Sequence, residues 1–560
     1  MTRLRTASFV VLLVAVIAAQ LAVVAPELWL TRVWEDEAYN LTVPLNLLSG
    51  HGYTSDGILT RFGGMTPFDV RISTGPTVLL PIAAMLATGV DAVVGSRLVM
   101  LLFYAGLLVV LWVLGRRVAG RWGGLVAIAV PLALNTNQLP SPSQGPIDVL
   151  GEFPSAMFLG LALLFVQRRP WLGGLMLGLA IQTKFITALA LPVLVLMVWF
   201  AFAEVPTRQR IRRSLAVIVL AVVPSVLYQL VALVCLGWNA YVDNVHSFLY
   251  FLKTGGQYNV HTSALAKLSS LFGSWFVPAW LVLVVIVLAL AVGAAVWALA
   301  RRMPARARAR LLAAAGACLP GRRLLVLLAG ASLLLVVWIG WWAASKGTPD
   351  WVRYPAPGVL ICVPMLAAAV VLGCRMLWLA SADGTQARSV ERGAVAGSVG
   401  RGAMAGSAER GEVAGSAERG AVAGSAERGE VRRSGQVANR ALSIACAAVL
   451  ALTLVLQMGI HVPSAYVPNL GETLAQQRAA AAGIAQLNRS RLASPWGGQI
   501  GAIVLAGSHV VSLYDPHRGD TPVVYAAFRG NPVAQLDRAQ ARSCGTTLLR
   551  LTHYLVCDPK

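Results

Sequence analysis

Three acidic side chains, Glu35, Asp36 and Glu37, stand together in RVWEDEAYNL (Arg32–Leu41), directly after a long apolar run. A second acidic pair, Asp148 and Glu152, is spaced four apart, so both face one side if a helix begins there. Cations recur in similar settings: Lys184 in QTKF, and Lys346 and Arg353 in SKGTPDWVRYP. Lys184 has strongly apolar sequence on both sides, where a cation usually has a partner or a ligand. Carboxylates and cations at one membrane boundary suit a sugar leaving a lipid-linked phosphate. The carboxylate takes the proton of an attacking hydroxyl, and Lys or Arg stabilises the departing phosphate. Each piece also has a plain alternative. The acidic triplet reads equally as a solvated helix end with Trp34 and Tyr39 as interfacial anchors. Asp148 reads as a helix cap, and Glu152 as a first-turn acid favoured by the dipole.

These residues hang on a membrane scaffold. Of the 560 residues, 57% are hydrophobic and 12% charged, and several apolar runs reach bilayer-crossing length, which excludes a soluble protein. The net charge of +22 sits in short clusters between those runs, GRRVAGR, QRRP, TRQRIRR and RRMPARARAR. That is the pattern of cytoplasmic loops and not of nucleic-acid binding. The first run, from Ser8 to Leu30, reads as a retained signal anchor. Trp171–Ala201 is too long for one span and reads as two short helices meeting near Gln182–Phe185. Pro76–Val90 is too short to cross and reads as an interfacial or re-entrant piece. About eleven crossings result. Residues 31–75, 135–154, 237–274, 345–355 and everything after 461 then share the outer face.

The expected organisation is a membrane module over 1–380, a linker over 381–440, a last span over 441–463 and an outer domain over 464–560. The linker carries a nine-residue repeat, AMAGSAERG, EVAGSAERG and AVAGSAERG, too poor in apolar bulk for a core, and reads as disordered and cytoplasmic. The last region alternates a helical stretch, Glu472–Asn488, with strand-like runs at Ala502–Gly507, His509–Tyr514 and Pro522–Phe528, a small α/β domain without a nucleotide-binding loop. Cys544 and Cys557 fall in it and can pair if it lies outside the cytoplasm.

VWEDEAYN resembles the first-loop acidic motif of the GT-C membrane glycosyltransferases, in the branch of protein O-mannosyltransferases and lipid A aminoarabinose transferases. The resemblance continues in order through FDVRISTGPTVLLPIAAMLATGVDAVVGSRL, LGRRVAGRWGGLVA, DVLGEFPSAMFLGLALL, GGLMLGLAIQTKF and WVRYPAPG, covering roughly residues 8–380. It implies a mainly α fold. It also implies that Asp36, with Glu37 beside it, is the catalytic acid of the first loop and that Asp148 and Glu152 match the second acidic position. Lys184, Arg353 and Tyr354 become candidate contacts of the donor phosphate. The family's cation or His just before the Pro76 position is missing here, with Asp69 and Arg71 as candidate substitutes.

The expected reaction is an inverting transfer from a polyprenyl-phosphate sugar to an envelope glycan, lipid or protein at the outer face of the bacterial cytoplasmic membrane, with Asp36 as general base. No cofactor is demanded, although Asp36 and Asp148 could support a divalent metal. The rival reading, a transporter or flippase of a lipid-linked precursor, predicts charges at mid-membrane depth and resemblance between halves. Neither feature is evident in the sequence.

Overall fold

A computed structural model describes residues 2–59, 64–134, 145–254, 262–276, 278, 280–301, 303–319, 321–345, 352–399, 415–527 and 544–560. Side chains are described for these apart from 2–5, 254, 382–435 and 469. Lys346 and residues 400–414 of the repeat segment lie outside the described residues.

The membrane module comprises α1 (Thr2–Trp29), α2 (Glu35–Leu48), α3 (Pro76–Leu86), α4 (Ala92–Leu134), α5 (Glu152–Val166), α6 (Pro170–Thr183), α7 (Leu191–Ala201) and α8 (Thr207–Leu236). It continues with α9 (Trp238–Thr254), α10 (Ala264–Leu271), α11 (Leu281–Arg301), α12 (Ala305–Ala314), α13 (Gly321–Ala344), α14 (Ala356–Val399) and α15 (Gly415–Ser464). Among the described residues, seven helices are long and apolar enough to cross a membrane. One of them, α4, is two helices. Ala119 and Gly120 leave helical geometry, Gly120 at φ +64°, and the chain folds back so that Gly115 lies against Gly123. Only glycine adopts that backbone without a Cβ clash.

The long run after Trp171 breaks where expected. Lys184 is extended between α6 and a 3-10 turn, Phe185–Ala190, that leads into α7. The short run becomes α3, 11 residues long, which at 1.5 Å per residue spans about 17 Å and cannot cross. The segment 237–274, expected as an outer loop, carries α9 and α10. The most buried of these spans, Ala356–Ser381 of α14, packs against α4, α5, α11, α13 and α15. At its far end Arg440 of α15 donates to Ser381, at 3.2 Å to the hydroxyl, and Ser443 Oγ donates to the Cys374 carbonyl at 2.7 Å.

Two short strands, β1 (Thr54–Ser55) and β2 (Thr66–Pro67), pair in the loop between α2 and α3. After α15 come α16 (Leu474–Ala485), β3 (Arg491–Ser494), α17 (Gln499–Leu505), β4 (His509–Ser512), β5 (Val523–Ala526), β6 (Cys544–Arg550) and β7 (Tyr554–Pro559). The sheet order is β4-β3-β5-β7-β6. β3 is parallel to both neighbours, and β7 is antiparallel to β5 and β6. The stretch Ala502–Gly507, expected as a strand, is mostly helix α17, packed on α2 and α16. A short apolar run bounded by Gly fits either element, and tertiary packing decides. Cys544 and Cys557 form a disulfide with Cα atoms 5.7 Å apart.

This domain docks on the first loop through buried polar groups. Arg32 pairs with Glu472 at 2.8 Å, both side chains fully buried, and Tyr554 also donates to Glu472. Gln477 receives the Val33 amide at 2.8 Å and donates to its carbonyl at 2.7 Å, as a neighbouring strand would.

Two outcomes test this arrangement. A Cβ at Gly75 would meet the Gln182 carbonyl oxygen at 1.7 Å, whereas one at Gly151 would meet Thr183 O at 2.9 Å. Gly75→Ala is therefore expected to lower thermal stability of the purified protein by about 3 kcal/mol, the upper end for overpacking, and Gly151→Ala by clearly less; equal melts would contradict the close approach. In intact cells carrying Cys235→Ser, a membrane-impermeant maleimide should label Cys544 only after reduction, and labelling that requires permeabilisation would place this domain in the cytoplasm.

Candidate active site

The site is built where the ends of α1, α2, α4, α5, α6 and α14 meet. Its foundation is Arg97 of α4, fully buried. Nε and Nη2 donate to both carboxylate oxygens of Glu37 at 2.9 and 2.8 Å. The same guanidinium donates to the carbonyls of Glu27, Thr31 (2.8 Å) and Arg32 (3.2 Å). It thereby satisfies the open end of α1 and clamps the turn into α2. Asn40, one helical turn after Glu37, donates to Thr74 Oγ1 at 3.0 Å and to the Val149 carbonyl at 2.7 Å. Gly75 N donates to the Thr183 carbonyl at 2.9 Å, and Thr77 and Thr183 hydroxyls bond at 2.7 Å. These contacts seat the end of α6, and with it Lys184, against the acidic loop.

Two carboxylate–cation pairs stand on this foundation. Asp36, in the first turn of α2 where the helix dipole favours an acid, accepts from Arg353 Nη1. Glu152, the first residue of α5, accepts from Lys184 Nζ. Arg353 also acts electrostatically on Glu152, and Asp36 on Lys184, so the pairs are neighbours. They differ in access. Side-chain exposure is 16% for Asp36 and 18% for Arg353, against 3% for Glu152 and 0% for Glu37. The more accessible pair is thus Asp36 and Arg353. Burial pulls the Arg353 guanidinium down, but Asp36 and Glu152 outweigh it and hold the group above its ordinary value. Burial likewise raises the neighbouring Tyr354 phenol, which stays protonated, and the Glu35 carboxyl.

Residues 75–320 match the model of glycosyltransferase family 87. Among solved structures, ArnT from Cupriavidus metallidurans in the apo state aligns at 16% identity and a TM-score of 0.52, covering 99% of this chain and 98% of that one. The same protein bound to undecaprenyl phosphate aligns at 14% identity and a TM-score of 0.53, covering 98% of each chain. The fold is that of the GT-C membrane glycosyltransferases. No curated protein sequence matches. The matched stretch, residues 75–320, contains Asp148, Glu152 and Lys184.

The GT-C site collects Asp36, Glu152, Lys184, Arg353 and Tyr354 at one end of the bundle, but it separates two residues that the sequence groups with them. Glu37 is fully buried on the Arg97 side of α2, faces no solvent and holds the turn through that guanidinium. Asp148 caps no helix. It precedes the Gly151 N-cap of α5, accepts from the Gly145 amide at 3.1 Å and belongs to the buried layer with Glu27, Glu37 and Arg97. Trp34 and Tyr39 are not interfacial anchors. Both are buried, and Tyr39 donates to Asp69, which also accepts from Ser55 at 2.6 Å. Asp69 therefore folds the loop between α2 and α3, and the Arg71 amide donates to it at 3.0 Å. Among the described residues no group of three or more His, Cys, Asp or Glu is placed to hold a metal ion. Glu27, Asn40 and Arg97 escaped the sequence reading. Arg97 alone carried a signal, as a cation inside an apolar run.

Burial and the Glu37 charge push Asp148 up to about 7 from an ordinary 3.8. A carboxyl raised in the folded state stabilises fully below its unfolded value, and the contribution is lost as pH rises through the folded one. Thermal stability should therefore fall between about pH 4 and about pH 7 in the wild type, and this component of the slope should vanish in Asp148→Asn; parallel profiles would remove Asp148 as its source.

Proposed function

We propose that this GT-C chain transfers a sugar from a polyprenyl-phosphate donor to a hydroxyl of an envelope glycan, lipid or protein, at the outer face of the bacterial cytoplasmic membrane. The observation that carries the reading is the accessible Asp36–Arg353 pair set beside Glu152–Lys184. Each carboxylate holds a cation that an arriving phosphate would compete for.

In the reaction, Arg353 and Lys184 engage the donor phosphate, with Tyr354 as a further hydroxyl donor. Withdrawal of Arg353 leaves Asp36 free to accept a proton. The acceptor oxygen attacks the anomeric carbon from the face opposite the phosphate, Asp36 takes the hydroxyl proton, and the bond between that carbon and the phosphate oxygen breaks. The electron pair leaves on the phosphate, neutralised by the two cations. One displacement inverts the anomeric centre. Glu152 keeps Lys184 aligned, and Glu37 positions Asp36 through the start of α2.

Support for the donor comes from the undecaprenyl phosphate bound to the structurally similar ArnT. The Cys544–Cys557 disulfide supports an oxidising compartment outside the cytoplasm. Purified protein supplied with polyprenyl-phosphate sugars tests the assignment. Asp36→Asn is expected to lower kcat about 10²- to 10⁴-fold, while Arg353→Gln weakens donor binding as well. Retained turnover in Asp36→Asn would remove its role as base, and a wild type inactive with every donor would favour movement of a lipid-linked precursor over transfer.

A further inference from the structure

A second site lies at the opposite end of the bundle. A cavity of about 620 Å³ opens between the α4 turn, the connection from α12 to α13, and α14. It is lined by Trp112, Arg116, Arg121, Trp122, Cys318 and Arg375, with glycine at the turns. Two helices measure its depth. Glu27 of α1 sits in the buried layer beside the active site, while Phe9 lies 5.0 Å under the Arg121 guanidinium, and those 18 positions correspond to about 27 Å. Arg375 is 19 residues along α14 from Ala356, about 29 Å. The cavity is therefore one hydrocarbon thickness from Asp36, at the other interface.

Basic loops at this face set topology, and that accounts for charge in GRRVAGR. It does not account for convergence. Arg375 comes from a helix more than 250 residues away in the chain, yet shares one concavity with Arg116 and Arg121. Among the described residues none of the three has an acidic partner. The site is also shaped. Arg375 Nη1 donates to the Ala119 carbonyl at 3.3 Å, and Gly316, at φ +93°, leaves room for it, since a Cβ there would stand 2.6 Å from Nη1. The Cys318 amide, donating to the Arg117 carbonyl at 3.0 Å, pins the connection to the α4 turn. Three guanidinium groups between two indoles, at headgroup depth, match a doubly or singly charged phosphate oxyanion with an apolar neighbour.

We infer that this cavity binds a phosphate-bearing anion, with the chemistry of a phosphomonoester or phosphodiester headgroup, independently of the sugar-transfer site. Cys318, exposed and reduced, is a built-in reporter once the other exposed cysteine is removed by Cys235→Ser. The full chain in nanodiscs would be labelled with an uncharged maleimide at constant ionic strength. Discs of phosphatidylcholine alone would be compared with discs containing phosphatidylglycerol, and with phosphatidylcholine discs supplied with inorganic phosphate. Slower Cys318 labelling is expected with an anion present, and each of Arg116→Gln, Arg121→Gln and Arg375→Gln should weaken the apparent affinity about fivefold. Protection by phosphatidylglycerol alone identifies a lipid headgroup, and protection by inorganic phosphate identifies a soluble source. Equal labelling in all three conditions, or protection that survives the arginine substitutions, would overturn the site. Arg116 and Arg121 are exposed, so their variants should fold, and an unaltered labelling rate in phosphatidylcholine checks this for Arg375→Gln.

Discussion

The buried contact between Arg97 and Glu37 is the constraint from which the active-site end of this molecule is organised. A guanidinium taken out of water needs a carboxylate and further acceptors, and Arg97 finds them all: both oxygens of Glu37 and three carbonyls at the end of α1. Those carbonyls can be satisfied only if α1 stops at Trp29 and the chain turns at once into α2. Because consecutive helical residues point about 100° apart, anchoring Glu37 inward turns Asp36 outward. The orientation of the accessible acid thus follows from the burial of its neighbour.

The resting site is self-neutralised. Asp36 holds Arg353 and Glu152 holds Lys184, so neither charge of either sign is left bare at the membrane boundary. Such pairs contribute little net stability, because desolvation offsets their attraction, but removing one partner leaves a costly orphan. A phosphate can displace the carboxylates without creating one. In the proposed reaction it replaces their charge at the cations, and the acid it frees is the base required next. Arrival of the anion is thus coupled, in that proposal, to appearance of the base without a separate moving part.

Much of this was legible in the sequence, for identifiable reasons. Charges are so expensive in lipid that Lys184 within an apolar run announces a break, and α6 ends there. The acid at Asp36 and the cation at Arg353, 317 positions apart, were predicted to meet because topology puts both at one face. Other features depended on packing that no local pattern carries. Trp34 and Tyr39 look interfacial until the C-terminal domain covers the first loop. Adjacent Glu37 and Asp36 look equivalent until Arg97, sixty residues on in the chain, chooses one of them. Asn40 joins three segments through two hydrogen bonds, and neither partner is marked by spacing or composition.

The fastening of α15 to α14 has a bearing on how the gene for such a chain can drift. Arg440 and Ser443 hold the start of the final span against Ser381 and Cys374, upstream of everything that depends on its register, including Glu472 beneath Arg32. Gain or loss of nine-residue units between those anchor points changes the length of the tether and nothing beyond the anchors. Slippage during replication, which readily adds or deletes such units, then acts on a stretch whose two flanks are fastened to each other.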